Sequence, residues 1–168
     1  MSKQNGQTFW LTGLPCSGKT TIAIELSKHF PDFVLLDGDV IRKGLCSDLG
    51  FSEQDRVENI RRISHLCELF NVNGKNVIAS FVSPTTEIRS QIKSIVSNLR
   101  LVHVNCSPEE CERRDVKGMW KLAREGKIKN WTGIDAVYQP PTEYDCKVDT
   151  EHETLEESVL KVFKIISQ

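Results

Sequence analysis

Three observations predict an α/β fold on a mostly parallel, five-stranded sheet. Short apolar, β-prone runs alternate with amphipathic segments, the pattern left by βαβ units. A glycine-rich stretch ending in Lys19-Thr20 lies between the first such run and the first amphipathic segment. Of 168 residues, 48 are Leu, Ile, Val or Phe, enough for one buried core and about one domain.

The elements follow in order. Strands are expected at Phe9–Thr12, Phe33–Leu36, Asn76–Phe81, Leu101–Asn105 and, more weakly, Cys146–Val148. The first helix, Thr20 to Phe30, carries Ile22, Leu26 and Phe30 four apart. The second spans 53–72, with Val57, Ile60, Ile63, Leu66, Cys67 and Phe70 on one side and Ser52 as N-cap. A third, 86–98, aligns Ile88, Ile92, Ile95 and Val96. Ser107-Pro108-Glu109-Glu110 opens a fourth, with Glu110 expected to complete a capping box. A last helix occupies about 154–166. The stretch 112–145 fits neither period and is rich in charge, so it is expected to move or to cover something.

Charge and composition exclude several classes. With 22 Lys and Arg against 23 Asp and Glu, the net charge of −1 supplies no bulk footprint for nucleic acid. No run approaches the length of a membrane span, and the polar start at Met1–Gly6 lacks the apolar stretch expected of a signal peptide. The expectation is a cytoplasmic protein that binds neither nucleic acid nor membrane. The six cysteines form no CxxC pair and read as free thiols.

Gly13-Leu14-Pro15-Cys16-Ser17-Gly18-Lys19-Thr20 matches G-x-x-x-x-G-K-[ST] in the required setting, after a strand and before a helix. Its glycines let the backbone curl so that successive N–H groups face one anion, helped by the helix N-terminus. Lys19 reaches the β- and γ-phosphates of a nucleotide, and the Thr20 hydroxyl ligates Mg²⁺. The fold class is thus a P-loop NTPase-type three-layer sandwich: one domain over 1–168, with a helical or loop lid at about 112–145.

Asp37-Gly38-Asp39 stands at the carboxyl end of the second strand, where ligands collect in open α/β sheets. One carboxylate can order Mg²⁺ or its water while the other accepts a proton from a hydroxyl nucleophile. The bland reading is an Asp-Gly turn. A basic group follows, including Arg42, Arg56, Arg61, Arg62 and Arg89. Most helical charges are simply solvated. A cation in the first turns of a helix, as Arg56 is, opposes the macrodipole and hints at a ligand. Planar guanidiniums suit phosphate and sulfate oxygens.

With these residues in place, the chain resembles the adenylylsulfate kinase (APS kinase) family from about Phe9 to the last helix. The resemblance rests on Phe9–Leu14, on Leu36–Asp39 with Arg42, and on Asp48-Leu49-Gly50-Phe51-Ser52. It extends through Asp55–Arg62, Val82-Ser83-Pro84, Cys111–Gly118 and the block Lys129-Asn130-Trp131-Thr132-Gly133-Ile134-Asp135. It implies phosphoryl transfer from MgATP to the 3′-hydroxyl of adenosine 5′-phosphosulfate (APS), giving ADP and 3′-phosphoadenosine 5′-phosphosulfate, by a homodimer. It further implies that Asp37 is the base or orienting group, with Asp39 near it in the substrate site. Arg42, Arg56 and Asn59 are implied ligands of the phosphosulfate and adenosine, and Phe51 and Trp131 two flat faces around the substrate adenine. Lys129 and the Asn130–Asp135 loop are implied parts of a cover that excludes water. Ser83 is the family's phosphoserine position. In-line transfer needs no covalent intermediate, however, and Ser83 reads equally as a strand breaker before Pro84.

Two departures from the family pattern stand out. The family usually has Ser-Gly where this chain has Pro15 and Cys16. After Ser83-Pro84 it usually has an aromatic and an Arg, then Asp-Arg, where this chain has Thr85, Thr86, Glu87, Ile88 and Arg89. Two rival readings are weighed. Another small P-loop kinase, acting on a nucleoside monophosphate or a sugar acid, has no reason to keep the Lys129–Asp135 block. A slowly hydrolysing nucleotide switch would need an Asn-Lys-x-Asp segment, which is absent, and Asp37-Gly38-Asp39 is not the Asp-x-x-Gly of a switch loop.

Overall fold

A computed structural model describes residues 4–168; the first three residues of the polar start read at Met1–Gly6 lie outside them. Five strands, β1 (Thr8–Thr12), β2 (Val34–Asp37), β3 (Val77–Ser80), β4 (Leu99–Asn105) and β5 (Cys146–Asp149), form one sheet in the order β2-β3-β1-β4-β5. Every pairing is parallel, with Trp10 opposite Ala79 on one side and Leu101 on the other. β1 is buried along its whole length, which is why it reads as an apolar run and not as an alternation.

Helices cover both faces, giving the three layers predicted. On one face α1 (Lys19–His29) and α7 (Leu155–Ile166) pack Ile22, Leu26, Val159 and Val162 against Leu11, Val102 and Val104. On the other, α3 (Glu53–Val72) and α4 (Thr86–Ile95) bury Ile60, Ile63, Cys67, Ile88 and Ile92 against Trp10, Val77 and Ala79. The residues lined up in sequence on α3 all belong to this core or pack against it. All six cysteines are free thiols. No helix among the described residues is long and apolar enough to cross a membrane.

The structure corrects several details. The Asp-Gly-Asp segment is not a simple strand end: Asp37 closes β2 and caps a short helix, α2 (Gly38–Lys43), that periodicity could not reveal in six residues. Helix α4 stops at Ile95, and β4 begins two residues earlier than expected. The irregular stretch contains the end of α5 (Pro108–Arg114) and a further short helix, α6 (Met119–Arg124). The capping box at Ser107 is only half formed. The Ser107 hydroxyl accepts from Glu110 N–H at 3.2 Å, but the Ser107 N–H turns to Glu151 and the Glu110 carboxylate to Arg113 and Arg114. These cations compete better for the carboxylate than one amide does.

The complete box lies at α7, where Thr154 and Glu157 exchange both bonds, at 3.2 and 2.8 Å. Thr154→Ala should therefore destabilise the fold by about 1 kcal/mol, and Thr154→Ser by much less. Urea unfolding with an unchanged slope measures this; equal losses for both variants would refute the cap.

Candidate active site

The carboxyl ends of the strands bring the site together. After β1 the chain curls so tightly that a Cβ on Gly13 would lie 2.4 Å from the Val104 carbonyl oxygen and 2.7 Å from Ser17 Oγ. Gly18 takes φ 98°, and Cys16, where the family usually has glycine, takes φ 67°. Lys19 folds back over the loop, its Nζ donating to the Leu14 carbonyl at 2.7 Å. Burial pulls its pKa down to about 8, against the opposing pull of neighbouring thiols and of Asp37 and Asp39.

Thr20, in the first turn of α1, donates its hydroxyl to Asp37 Oδ2 at 2.7 Å. The other Asp37 oxygen is fixed by the Asp39 N–H at 3.0 Å, so a helix cap aims this carboxylate. Asp39 is ion-paired to Lys117, which comes from the irregular stretch 78 positions away. Lys117 has no assigned role in the sequence reading, although it stands inside the resembling Cys111–Gly118 run. Two more residues went unassigned: Arg114 donates to the Thr150 carbonyl at 2.6 Å, and the Thr150 hydroxyl to the Ser17 carbonyl at 2.7 Å. Their signal is weak, one arginine in a basic group and one threonine after a strand.

The arginines separate into two sets. Arg61, Arg62, Arg100, Arg113, Arg114 and Arg124 are each paired with a carboxylate. Arg42, Arg56 and Arg89 have no carboxylate partner among the described residues. Arg42 donates to the Gly50 carbonyl at 2.6 Å and lies 4.4 Å over the Phe51 ring. Arg56 donates to the Phe51 carbonyl at 3.1 Å, to Thr132 Oγ1 at 2.5 Å and to the Asn130 carbonyl. Burial, and then the neighbouring Arg42 charge, lower the Arg56 pKa. Two like charges are thus held together over carbonyl oxygens, an arrangement completed by an anion.

The other expected residues spread around this centre. Asn59 is buried with Oδ1 unpartnered. Phe51 is exposed beneath Arg42, and Trp131 stands edge-on to Trp120 at 6.2 Å, its indole N–H also unpartnered. Lys129 is exposed. Trp120 packs against the loop after β1, donating to the Pro15 carbonyl at 3.3 Å. Ser83 is deeply buried at φ 47°, with its Oγ accepting from the Trp10 indole N–H at 2.9 Å. No cluster of three His, Cys, Asp or Glu that could hold a metal occurs among the described residues.

Residues 5–149 match the family model described as adenylylsulphate kinase. Over 170 aligned residues the chain is 44% identical to an adenylyl-sulfate kinase of Rippkaea orientalis, covering 99% of this chain and 94% of that one. It is 45% identical to that of Gloeothece citriformis, at 99% and 97% coverage. Among solved structures it superimposes on the Mycobacterium tuberculosis APS kinase CysC, in complex with AMPPNP and APS, with a TM-score of 0.94 and 34% identity over 98% of this chain and 99% of that chain. A Sinorhizobium meliloti gluconokinase, at 15% identity and TM-score 0.69, shares the fold alone.

Because Lys19 has a lower pKa folded than unfolded, the unfolded chain binds the extra proton between about pH 8 and 10.5. Stability through this group therefore rises with pH across that window and is flat on either side. Lys19→Met should be more stable than the parent at pH 7, by at most about 3 kcal/mol, and the gain should vanish near pH 10.5. Paired denaturant titrations at pH 7, 9 and 10.5 test this; a pH-independent difference would refute the buried charge.

Proposed function

The chain belongs to the adenylylsulphate kinase family, and on that premise we propose how its own residues carry the reaction. The γ-phosphoryl group of ATP passes to the 3′-hydroxyl of adenosine 5′-phosphosulfate, giving ADP and 3′-phosphoadenosine 5′-phosphosulfate. What carries the placement of substrate is Arg42, on the helix that Asp37 caps, together with the neighbouring Arg56, both held on main-chain carbonyls with no carboxylate partner among the described residues.

The N–H groups of the Gly13–Thr20 loop and the start of α1 hold the ATP phosphates. Lys19 exchanges the Leu14 carbonyl for phosphate oxygens, which restores to its charge the partner that burial denies it. The hydroxyl of Thr20, held 2.7 Å from the Asp37 carboxylate, is a hard oxygen that would ligate Mg²⁺. Mg²⁺ generally takes one or two protein oxygens and fills its shell with phosphate and water. When bound, it neutralises charge on the transferring group.

Arg42 and Arg56 take the phosphosulfate, and Asn59 Oδ1 accepts from an N–H or O–H of the adenosine. Phe51 and Trp131 flank the substrate adenine, and Asp39 and Lys129 line the same site. The Asp37 carboxylate then orients the 3′-hydroxyl and accepts its proton as the oxygen attacks phosphorus in line and ADP leaves. Residues 112–145 form the lid that keeps water from competing with this hydroxyl. Ser83 takes no covalent part: its hydroxyl is buried and already engaged by Trp10. The same proposal places the enzyme in the cytoplasm as a homodimer.

Coupled ADP release with APS, AMP and gluconate tests the substrate; faster turnover with either of the latter two would overturn it. Lys19→Ala should lose more than nine-tenths of the rate, whereas Ser83→Ala should remain active. Arg56→Ala should lower kcat/KM for APS by roughly 30- to 1,000-fold, on the order of 2–4 kcal/mol, with little change in ATP Kd. Lysine should not rescue it, since a point charge does not replace a planar fork. APS kinetics within threefold, with ATP binding weakened, would move Arg56 to the nucleotide side.

A further inference from the structure

The segment carrying Trp131 is attached at both ends, and the two attachments differ in kind. Residues 130–136 form a closed turn: the Asp135 carboxylate accepts from Asn130 and Trp131 N–H at 2.7 and 2.5 Å, and the Ala136 N–H donates to the Trp131 carbonyl at 3.1 Å. On its leading side this turn meets Arg56, which the proposed reaction must draw towards an anion. On its trailing side, two residues separate the turn from Gln139. The Gln139 N–H donates to the Pro84 carbonyl at 2.8 Å, and its side-chain Oε1 accepts from the Thr86 N–H at 2.9 Å. Tyr138, between them, packs into the cluster under the loop after β1.

Thr86 opens α4, whose first-turn N–H groups need acceptors. Thr85 supplies one from within, accepting from Ile88 N–H at 3.3 Å. Another, for the Thr86 N–H, comes from Gln139, 53 positions away. The loop it grips is itself rigid. Arg89 donates to the Ser83 carbonyl at 2.9 Å, the Thr12 hydroxyl to the Val82 carbonyl at 2.6 Å, and the Trp10 indole to Ser83 Oγ. Gln139 therefore ties a short lever bearing Trp131 to a fixed part of the sheet, at Pro84 and Thr86.

We propose that Gln139 is a positioning residue for the phosphoryl transfer: by capping α4 through the Thr86 N–H it fixes the foot of the Trp131 turn, so that substrate meets a preformed aromatic wall. The proposal rests on the substrate site assigned above. Without the cap, the turn must be ordered at the expense of binding, which raises KM for APS more than it lowers kcat.

Thr86 is the first residue of α4, where proline is tolerated, and Thr85 at φ −117° and ψ 157° already has the extended conformation that a following proline requires. Thr86→Pro thus deletes the donor, and Gln139→Ala deletes the acceptor. Each should raise KM for APS about three- to tenfold, the range of one neutral hydrogen bond, with kcat within about twofold. The double variant should be no worse than the poorer single one. Gln139→Glu, which keeps the acceptor, should match the parent. So should Thr86→Ala, which keeps the N–H and removes only the hydroxyl near Arg89. Trypsin cleavage after the exposed Lys127 and Lys129, measured without substrate, should quicken in Gln139→Ala and Thr86→Pro alone. Unchanged KM and cleavage in Gln139→Ala, multiplying effects in the double variant, or failure of Gln139→Glu would each overturn the proposal. If the parent itself does not turn over APS, the substrate assignment fails, while the trypsin comparison still decides whether Gln139 holds the turn.

Discussion

The contact on which the site depends is the closure of the loop after β1 onto its own lysine. Gly13 lies against the Val104 carbonyl so closely that no side chain fits, and the chain reverses there to start α1. Lys19 is buried as a result, with a carbonyl oxygen in place of a counter-ion. A buried cation without a formal partner is costly, and folding alone does not relieve it. The cost is borne because the rest of the sheet tolerates it: β1 is central, paired on both sides and covered on both faces. The loop is thus held in a shape and charge state that polyphosphate completes.

The same logic separates the arginines proposed to hold substrate from the structural ones. Six of them neutralise a carboxylate, mostly one turn away on their own helix, and such pairs contribute little beyond solubility and local helix support. Arg42 and Arg56 are instead directed at main-chain carbonyls, which satisfy their hydrogen bonds but not their charge. In the proposed reaction, a carbonyl is a partner that an incoming phosphosulfate can displace without leaving a buried carboxylate exposed to repulsion. Arg89 is also without a carboxylate, but it is turned inward to the Ser83 carbonyl and serves the loop's shape.

How much of this was legible in the sequence divides along a physical line. Contiguous features were readable: the glycine-rich loop, the five apolar runs, the apolar stripe of α3 and the Asp37-Gly38-Asp39 pair. Each is set by local periodicity or backbone chemistry. Pairings between distant segments were not. Nothing near Arg56 says that it reaches Thr132, and nothing near Lys117 says that it meets Asp39, because those distances arise only when the irregular stretch folds back over β1. Short helices such as α2 and α6 were equally hidden, since six residues give less than two turns of pattern. The misread capping box at Ser107 has a similar origin: the motif was present, but cations nearby took the carboxylate.

The two unusual loop residues show how a departure from a family pattern can leave chemistry untouched. Cys16 occupies φ 67°, where a Cβ costs about 1–2 kcal/mol that glycine would avoid. Pro15, just before it, restricts the unfolded chain and offsets part of that cost, by about 0.4–1 kcal/mol when its native φ suits the ring. It also removes one N–H from the loop. Ser17 already turns its N–H inward to the Leu14 carbonyl at 3.1 Å, so the loop does not direct every donor outward in any case. The donors at the start of α1 lie beyond both substitutions and are set by Gly18 and the helix itself. The Pro15 carbonyl still accepts from Trp120, a bond that needs only a main-chain oxygen. Side chains at positions 15 and 16 can therefore change while the backbone path persists, because it is that path, fixed by Gly13 and Gly18, which presents the loop to an anion.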